Sequence, residues 1–103
     1  MQKQYRQGDV FLIEVSEDPK GKEVERINDE IVLAYGEATG HHHHIPNKGA
    51  VLYAVNENLR ILKVEEEVEL RHEEHEAIKL PPGNFQVIQQ RENTPLGWRT
   101  VVD

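Results

Sequence analysis

The sequence predicts an all-β fold, either a small sandwich or a barrel, built from about eight short strands. Apolar residues occur in short runs, turn-forming residues separate these runs at roughly 8–12-residue intervals, and no segment keeps a helical period over several turns. The chain has 103 residues, a length typical of one domain. Residues 1–103 are therefore predicted to form a single β domain.

Composition or alternation defines each predicted strand. Residues 10–15 are β-branched and aromatic, and they are too few for a typical helix. Residues 68–72 alternate apolar and polar side chains, which is typical of a half-buried strand. For residues 20–30, the sequence does not distinguish between a loop, an edge strand and a helical turn. Residues 92–97 are predicted to form an exposed loop. The predicted strands are residues 10–15, 31–35, 50–55, 59–64, 68–72, 76–80, 85–88 and 98–102.

The composition excludes several classes of function. The formal net charge is −7 and the chain contains no cysteine, which excludes disulfides, thiolate metal sites and cysteine nucleophiles. Nucleic acid binding depends on Lys and Arg contacts to phosphates, so the acidic balance argues against a nucleic acid partner. The sequence shows neither a secretory leader nor a membrane-spanning run, so we expect a cytoplasmic protein. Exposed strand edges favour self-association, and we expect a homodimer.

The six histidines fall in two compact clusters. Four are consecutive, at residues 41–44, and the other two are His72 and His75. Histidine is the commonest metal-binding side chain, so two clusters with no histidine elsewhere indicate two halves of one metal site. The alternative is that the run lies in a solvated loop and the second pair in a solvated acidic turn.

Strand alternation predicts which histidines of the run face inward. Side chains two residues apart on a strand share a face, so a His-x-His pair can reach one metal ion. If the alternation of residues 31–35 continues along the chain, His41 and His43 form the inward pair. Intervening glycines can change the register, and the pair His42 and His44 therefore stays open.

The second cluster follows the same logic. Val68, Leu70 and His72 share one face of the predicted strand, and a turn after His72 would bring His75 beside it. A buried imidazole needs a partner, which a metal ion can supply. Zinc, iron, manganese and nickel are all compatible with imidazole ligands, so the predicted cofactor is a divalent transition metal. The predicted ligands are His41, His43, His72 and His75.

Part of this pattern resembles the first motif of the cupins. Gly36, five further residues and then His42-x-His44 match the opening of that motif. The resemblance implies a cupin-like β-barrel that holds one metal ion with three histidines and a glutamate. No glutamate stands three or four residues after His44, and Pro81-Pro82-Gly83 follows the second histidine cluster instead of preceding it. The resemblance therefore assigns no glutamate ligand.

A second resemblance covers most of the chain. Four segments together are similar to a family of small uncharacterised bacterial and phage proteins. In the Gly-His-x-His form of that family, the paired positions fall on His41 and His43. The resemblance implies that these segments act as a unit, and it implies no activity. The segments are Gly8-Asp9-Val10, residues 36–43, residues 72–75 and Leu80-Pro81-Pro82-Gly83.

Three functions fit these observations. The first is a metal-dependent enzyme acting on a small-molecule substrate, in which the metal keeps an open coordination position and Glu74 or Glu76 is the general base. The second is a non-catalytic metal-binding or metal-sensing protein whose four histidines complete the coordination sphere. The third is an adaptor that binds protein or RNA through its sheet. The predicted ligand set implies that replacing His41 and His43 abolishes metal binding.

Overall fold

A computed structural model describes the backbone of residues 3–35, 41–89, 91–94 and 97–100, and the side chains of residues 3–34 and 41–89. Within these ranges the protein is all-β and contains no helix, which confirms the predicted fold class. Consistent with this, the described residues include no helix suited to crossing a membrane.

The described residues form twelve strands, more than predicted, because short polar strands carry little signal of their own. One of the alternatives for residues 20–30, an edge strand, is realised at β3. The prediction of an exposed loop at residues 92–97 is wrong, since most of these residues belong to the β11–β12 pair. The strands are β1 (Gln4–Gln7), β2 (Val10–Val15), β3 (Lys22–Glu23), β4 (Ile31–Tyr35), β5 (His42–Ile45), β6 (Ala50–Asn56), β7 (Leu59–Val64), β8 (Val68–Leu70), β9 (Ile78–Leu80), β10 (Gly83–Gln89), β11 (Arg91–Thr94) and β12 (Gly97–Thr100).

Six of the strands form one antiparallel sheet in the order β1-β2-β10-β7-β6-β3. The sheet is open, with β1 and β3 at its edges, so among the described strands the sandwich alternative fits and a closed barrel does not. The remaining strands form three antiparallel pairs, β4–β5, β8–β9 and β11–β12.

The core lies between the inner face of the large sheet and the pairs β4–β5 and β8–β9. Leu12, Leu52, Leu62 and Phe85 point from the sheet into this layer, and each is at most 1% exposed. Burying each such side chain contributes about 1.5–3 kcal/mol of hydrophobic stabilisation. The smaller pairs contribute Ile31, Leu33, Ile45, Val68, Leu70 and Leu80 to the same cluster.

Strand β5 joins the two histidine clusters. It pairs with β4 on one side, where Val32 lies opposite His44, and the register shifts at a bulge between Val32 and Ala34. On its other side, His44 and Arg71 exchange two backbone hydrogen bonds of 2.9 and 2.8 Å. These bonds hold residues 71–76 beside the histidine run, so the fold brings together two segments about thirty residues apart.

Two glycines with nearly the same backbone conformation provide a test of this packing. Gly21 has φ +151° and Gly83 has φ +153°, a region that other residues rarely adopt. A Cβ at Gly21 would overlap the carbonyl oxygen of Ala54, whereas a Cβ at Gly83 would be in ordinary contact with Phe85 at 3.5 Å. Gly83→Ala should cost about 1–3 kcal/mol of unfolding free energy from backbone strain, and Gly21→Ala should cost more.

Urea unfolding of both variants, followed by circular dichroism, measures the difference. Equal losses would mean that the chain at Gly21 does not approach β6 as closely as described.

Candidate metal centre

The histidine run divides between the two faces of β5. His43 and Ile45 are both 0% exposed and point into the core, as the predicted alternation requires of His43. His42 and His44 point to the other face and are half-buried. His41 precedes the strand and is also half-buried.

His43 belongs to a buried hydrogen-bond network. Its Nδ1 atom lies 2.8 Å from the side-chain oxygen of Gln7. The Gln7 amide nitrogen donates to the carbonyl oxygens of Leu70 and Glu76, at 2.9 and 3.0 Å, which fixes the orientation of the amide. Because the Gln7 oxygen can only accept, His43 carries a proton on Nδ1.

Asp9 contacts the other ring nitrogen of His43. The Nε2 atom of His43 lies 3.1 Å from Asp9 Oδ1, and both side chains are 0% exposed. Gln89 donates to Asp9 Oδ2 at 2.9 Å. A carboxylate and an imidazole lone pair cannot form a hydrogen bond without a proton between them. Either His43 Nε2 or Asp9 therefore carries a proton at this contact. A metal ion at His43 Nε2 would replace the proton on this contact, whereas one at Nδ1 would displace Gln7.

The structure brings the four predicted ligands together. The ring centroids of His43 and His72 are 4.4 Å apart, and those of His72 and His75 are 4.7 Å apart. His41 lies 5.7 Å from His72, and His75 lies 6.0 Å from His43. The two clusters therefore meet, while their role as ligands stays a prediction.

A hydrogen bond to His72 determines which of its ring nitrogens carries the proton. His72 Nδ1 accepts the backbone N–H of Glu74 at 3.0 Å, which places the His72 proton on Nε2. Coordination through His72 Nε2 would therefore require the other tautomer. Glu74 Oε1 also lies 3.5 Å from His41 Nδ1. The Nε2 atom of His75 is buried and has no hydrogen-bond partner in the part of the chain that the structure describes.

A different group has metal-binding geometry. Glu30, His42 and His44 each offer one ligand atom, and all three atoms lie within 4.8 Å of one another. The Nε2 atom of His42 is 3.3 Å from Glu30 Oε2, and the rings of His42 and His44 are stacked with centroids 4.3 Å apart. Bond lengths of about 2.0–2.2 Å separate tetrahedral ligands by about 3.3–3.6 Å, so the His42–Glu30 spacing suits one ion.

The second nitrogen of each of these imidazoles faces an acceptor. His44 Nδ1 lies 3.2 Å from the carbonyl oxygen of His42, to which it can donate. His42 Nδ1 lies 3.4 Å from Glu73 Oε2. Protons on these Nδ1 atoms leave Nε2 as the coordinating nitrogen, the arrangement typical of metal-binding histidines. Between His42 Nε2 and Glu30, a metal ion can replace the bonding proton.

Glu73 is anchored to the same histidine. Its Oε1 atom accepts the backbone N–H of His42 at 2.7 Å. Burial raises the pKa of the Glu73 carboxyl, but hydrogen bonds from the backbone N–H groups of His42 and Glu73, with attraction to His42 and His72, lower it overall below its usual value. Glu73 is therefore ionised at neutral pH.

Sequence reasoning missed Glu30. The available signal was that Glu30 lies two residues before Val32, which pairs with His44 in the β4–β5 pair. Residues two apart share a face, so Glu30 and His44 belong on the same side once that pairing is known. Strand alternation favours His41 and His43 as the inward pair, whereas this group lies on the outward face of β5.

The fold and the site define the chain as a small all-β protein with a His/Glu cluster that could hold a metal ion. A model of one protein family, described as a domain of unknown function (DUF8820), matches residues 6–90, and the chain belongs to this family. The match agrees with the expected resemblance to an uncharacterised family and includes every residue of the candidate site. Neither the curated proteins nor the solved structures contain a significant match.

Proposed function

We propose that this protein binds a divalent transition-metal ion through Glu30, His42 and His44. The observation that carries the proposal is the convergence of two imidazole ligand atoms and a carboxylate oxygen within 4.8 Å. Imidazole and carboxylate donors together suit zinc, iron, manganese and nickel. The half-buried position of all three side chains allows an ion to enter from solvent.

Three protein ligands support a metal-dependent enzyme more than a closed structural site. Structural zinc sites use four protein ligands, whereas catalytic sites use three and keep a position for water or substrate. A bound metal would supply Lewis-acid activation of a small-molecule substrate or of a water molecule. In this arrangement Glu30 supplies negative charge to the ion, the hydrogen bond at Nδ1 orients His44, and the Glu73 carboxylate lies 3.4 Å from Nδ1 of His42.

The predicted set of His41, His43, His72 and His75 is a second candidate for the ligands. Two observations favour it: the other three rings lie 4.4–5.7 Å from the His72 ring, and His75 Nε2 is buried without a hydrogen-bond partner among the described residues. The hydrogen bond at His72 Nδ1 argues against it, because His72 would have to exchange its tautomer to coordinate an ion through Nε2.

Metal titration of protein produced without a histidine tag tests the proposal. Calorimetry with zinc, manganese, iron(II) and nickel should show one equivalent of at least one ion bound, and elemental analysis of protein purified without a nickel column should find that ion. Absence of binding by all four ions would overturn the proposal. The adaptor hypothesis, in which the sheet binds protein or RNA, would then lead.

Metal affinity should fall as the pH is lowered below neutrality. Protons compete with the ion for Nε2 of His42 and His44, so binding releases protons. Calorimetry at pH about 7.5 and about 5.5, in buffers of different ionisation enthalpy, measures both the affinity and the protons released. An affinity that is the same at both pH values would show that imidazoles are not the ligands.

A further inference from the structure

Residues 71–76 contact the proposed metal site directly. Arg71 is bonded to His44 through both backbone groups, at 2.9 and 2.8 Å. Two residues later, Glu73 approaches His42 with both oxygens of its carboxylate, one on the backbone N–H at 2.7 Å and one on ring Nδ1 at 3.4 Å. This loop therefore contacts the strand that supplies two of the three ligands.

The two contacts of Glu73 have different consequences. The bond to the backbone of His42 fixes the position of the carboxylate, because a backbone N–H can only donate. The second oxygen is thereby held beside Nδ1, where it favours a proton on that atom. A metal ligand histidine whose other nitrogen donates to a carboxylate is oriented and made more basic, and loss of the carboxylate typically costs 10–100-fold in metal affinity.

We propose that Glu73 is a positioning residue of the metal site, and that the loop of residues 71–76 sets the metal affinity through it. The inference rests on the proposed function, since it assigns a role at the same site. It also gives the loop that carries the second histidine cluster a role that does not require those histidines as ligands, because this loop places Glu73 against His42.

The substitution Glu73→Gln tests this inference. The glutamine oxygen still accepts the backbone N–H of His42, so its NH2 group is turned toward ring Nδ1. Two donors then face each other when Nε2 coordinates the ion. We expect zinc affinity to fall about 10–100-fold, while the free energy of unfolding of the metal-free protein changes little.

Glu74→Gln is the matched control, because it removes the same charge from the adjacent, more exposed residue. It should bind zinc within about twofold of the unsubstituted protein. In ¹⁵N NMR spectra of the zinc-bound proteins, the Nδ1 resonance of His42 should shift in the Glu73→Gln variant and not in the control.

The outcomes separate this inference from the proposed function. If the unsubstituted protein binds zinc and Glu73→Gln binds it equally well, only the role of Glu73 is wrong. Equal losses in the two variants would assign the effect to net charge and would also overturn the role. If the unsubstituted protein binds none of the tested ions, the proposed function fails and this inference fails with it.

Discussion

Replacing His42 and His44 together by alanine should reduce metal affinity by more than about 1,000-fold, or about 4 kcal/mol of binding free energy. The variant loses two of the three proposed ligands and keeps only Glu30. The side chains are half-buried and lie outside the core, so the fold should persist. Calorimetry measures the affinity, and circular dichroism shows whether the sheet is intact. The histidine set predicted from the sequence implies a much smaller loss for this pair.

His41→Ala with His75→Ala is the matched double variant. It also removes two histidines, both from the predicted set, and it leaves the buried His43 in place. We expect it to bind metal within a few-fold of the unsubstituted protein. If this variant loses binding while the His42 and His44 variant keeps it, the ion lies among the predicted histidines and the site at Glu30 is wrong.

The second large effect concerns the buried carboxylate. Asp9→Ala should destabilise the protein by about 3–5 kcal/mol, because it removes the buried carboxylate that pairs with His43 and accepts from the half-buried Gln89. Chemical denaturation measures this loss. An unchanged m-value, the slope of the unfolding free energy against denaturant concentration, would show that the loss is a change in stability.

Asp9→Asn provides the control. The asparagine oxygen can accept from Gln89, and its NH2 group can donate to Nε2 of a neutral His43 that keeps its Nδ1 proton for Gln7. All the bonds of the network described here then persist, so we expect a loss below about 2 kcal/mol. Equal losses in the two variants would mean that hydrogen bonding at Asp9 does not determine its contribution to stability.

The fold class could be predicted because apolar alternation and turn residues are local signals. Val68 and Leu70 alternate with a polar residue, and both are buried as predicted. β1 was missed because Gln4–Gln7 consists largely of polar residues at a sheet edge, where alternation has little to indicate. β3 is even shorter, and both of its residues are exposed. Such edge strands form because their backbone pairs with a neighbouring strand. The sequence of the segment itself gives no signal of this pairing.

The site was predicted only in part, because its geometry depends on pairing between strands. Alternation placed His43 inward, and the structure buries it completely. The partners of His43 could not be predicted, since Gln7 and Asp9 reach it from β1 and from the turn before β2. The contact between Glu30 and His42 likewise requires the β4–β5 register, including its bulge. The histidine-rich segments were evident, whereas the atoms available for coordination depended on hydrogen bonds.

A run of four identical residues cannot specify its own alignment with a neighbouring strand. If β5 slipped by one residue, His42 or His44 would enter the position of His43, and the histidine chemistry would be almost unchanged. The residues beyond the run break this degeneracy, because a slip would bring His44 or Pro46 into the position of the completely buried Ile45. Burial of Ile45, which contributes about 1.5–3 kcal/mol, therefore fixes the register of the whole segment. A slip that compensated for a single histidine substitution would therefore remove Ile45 from its buried position.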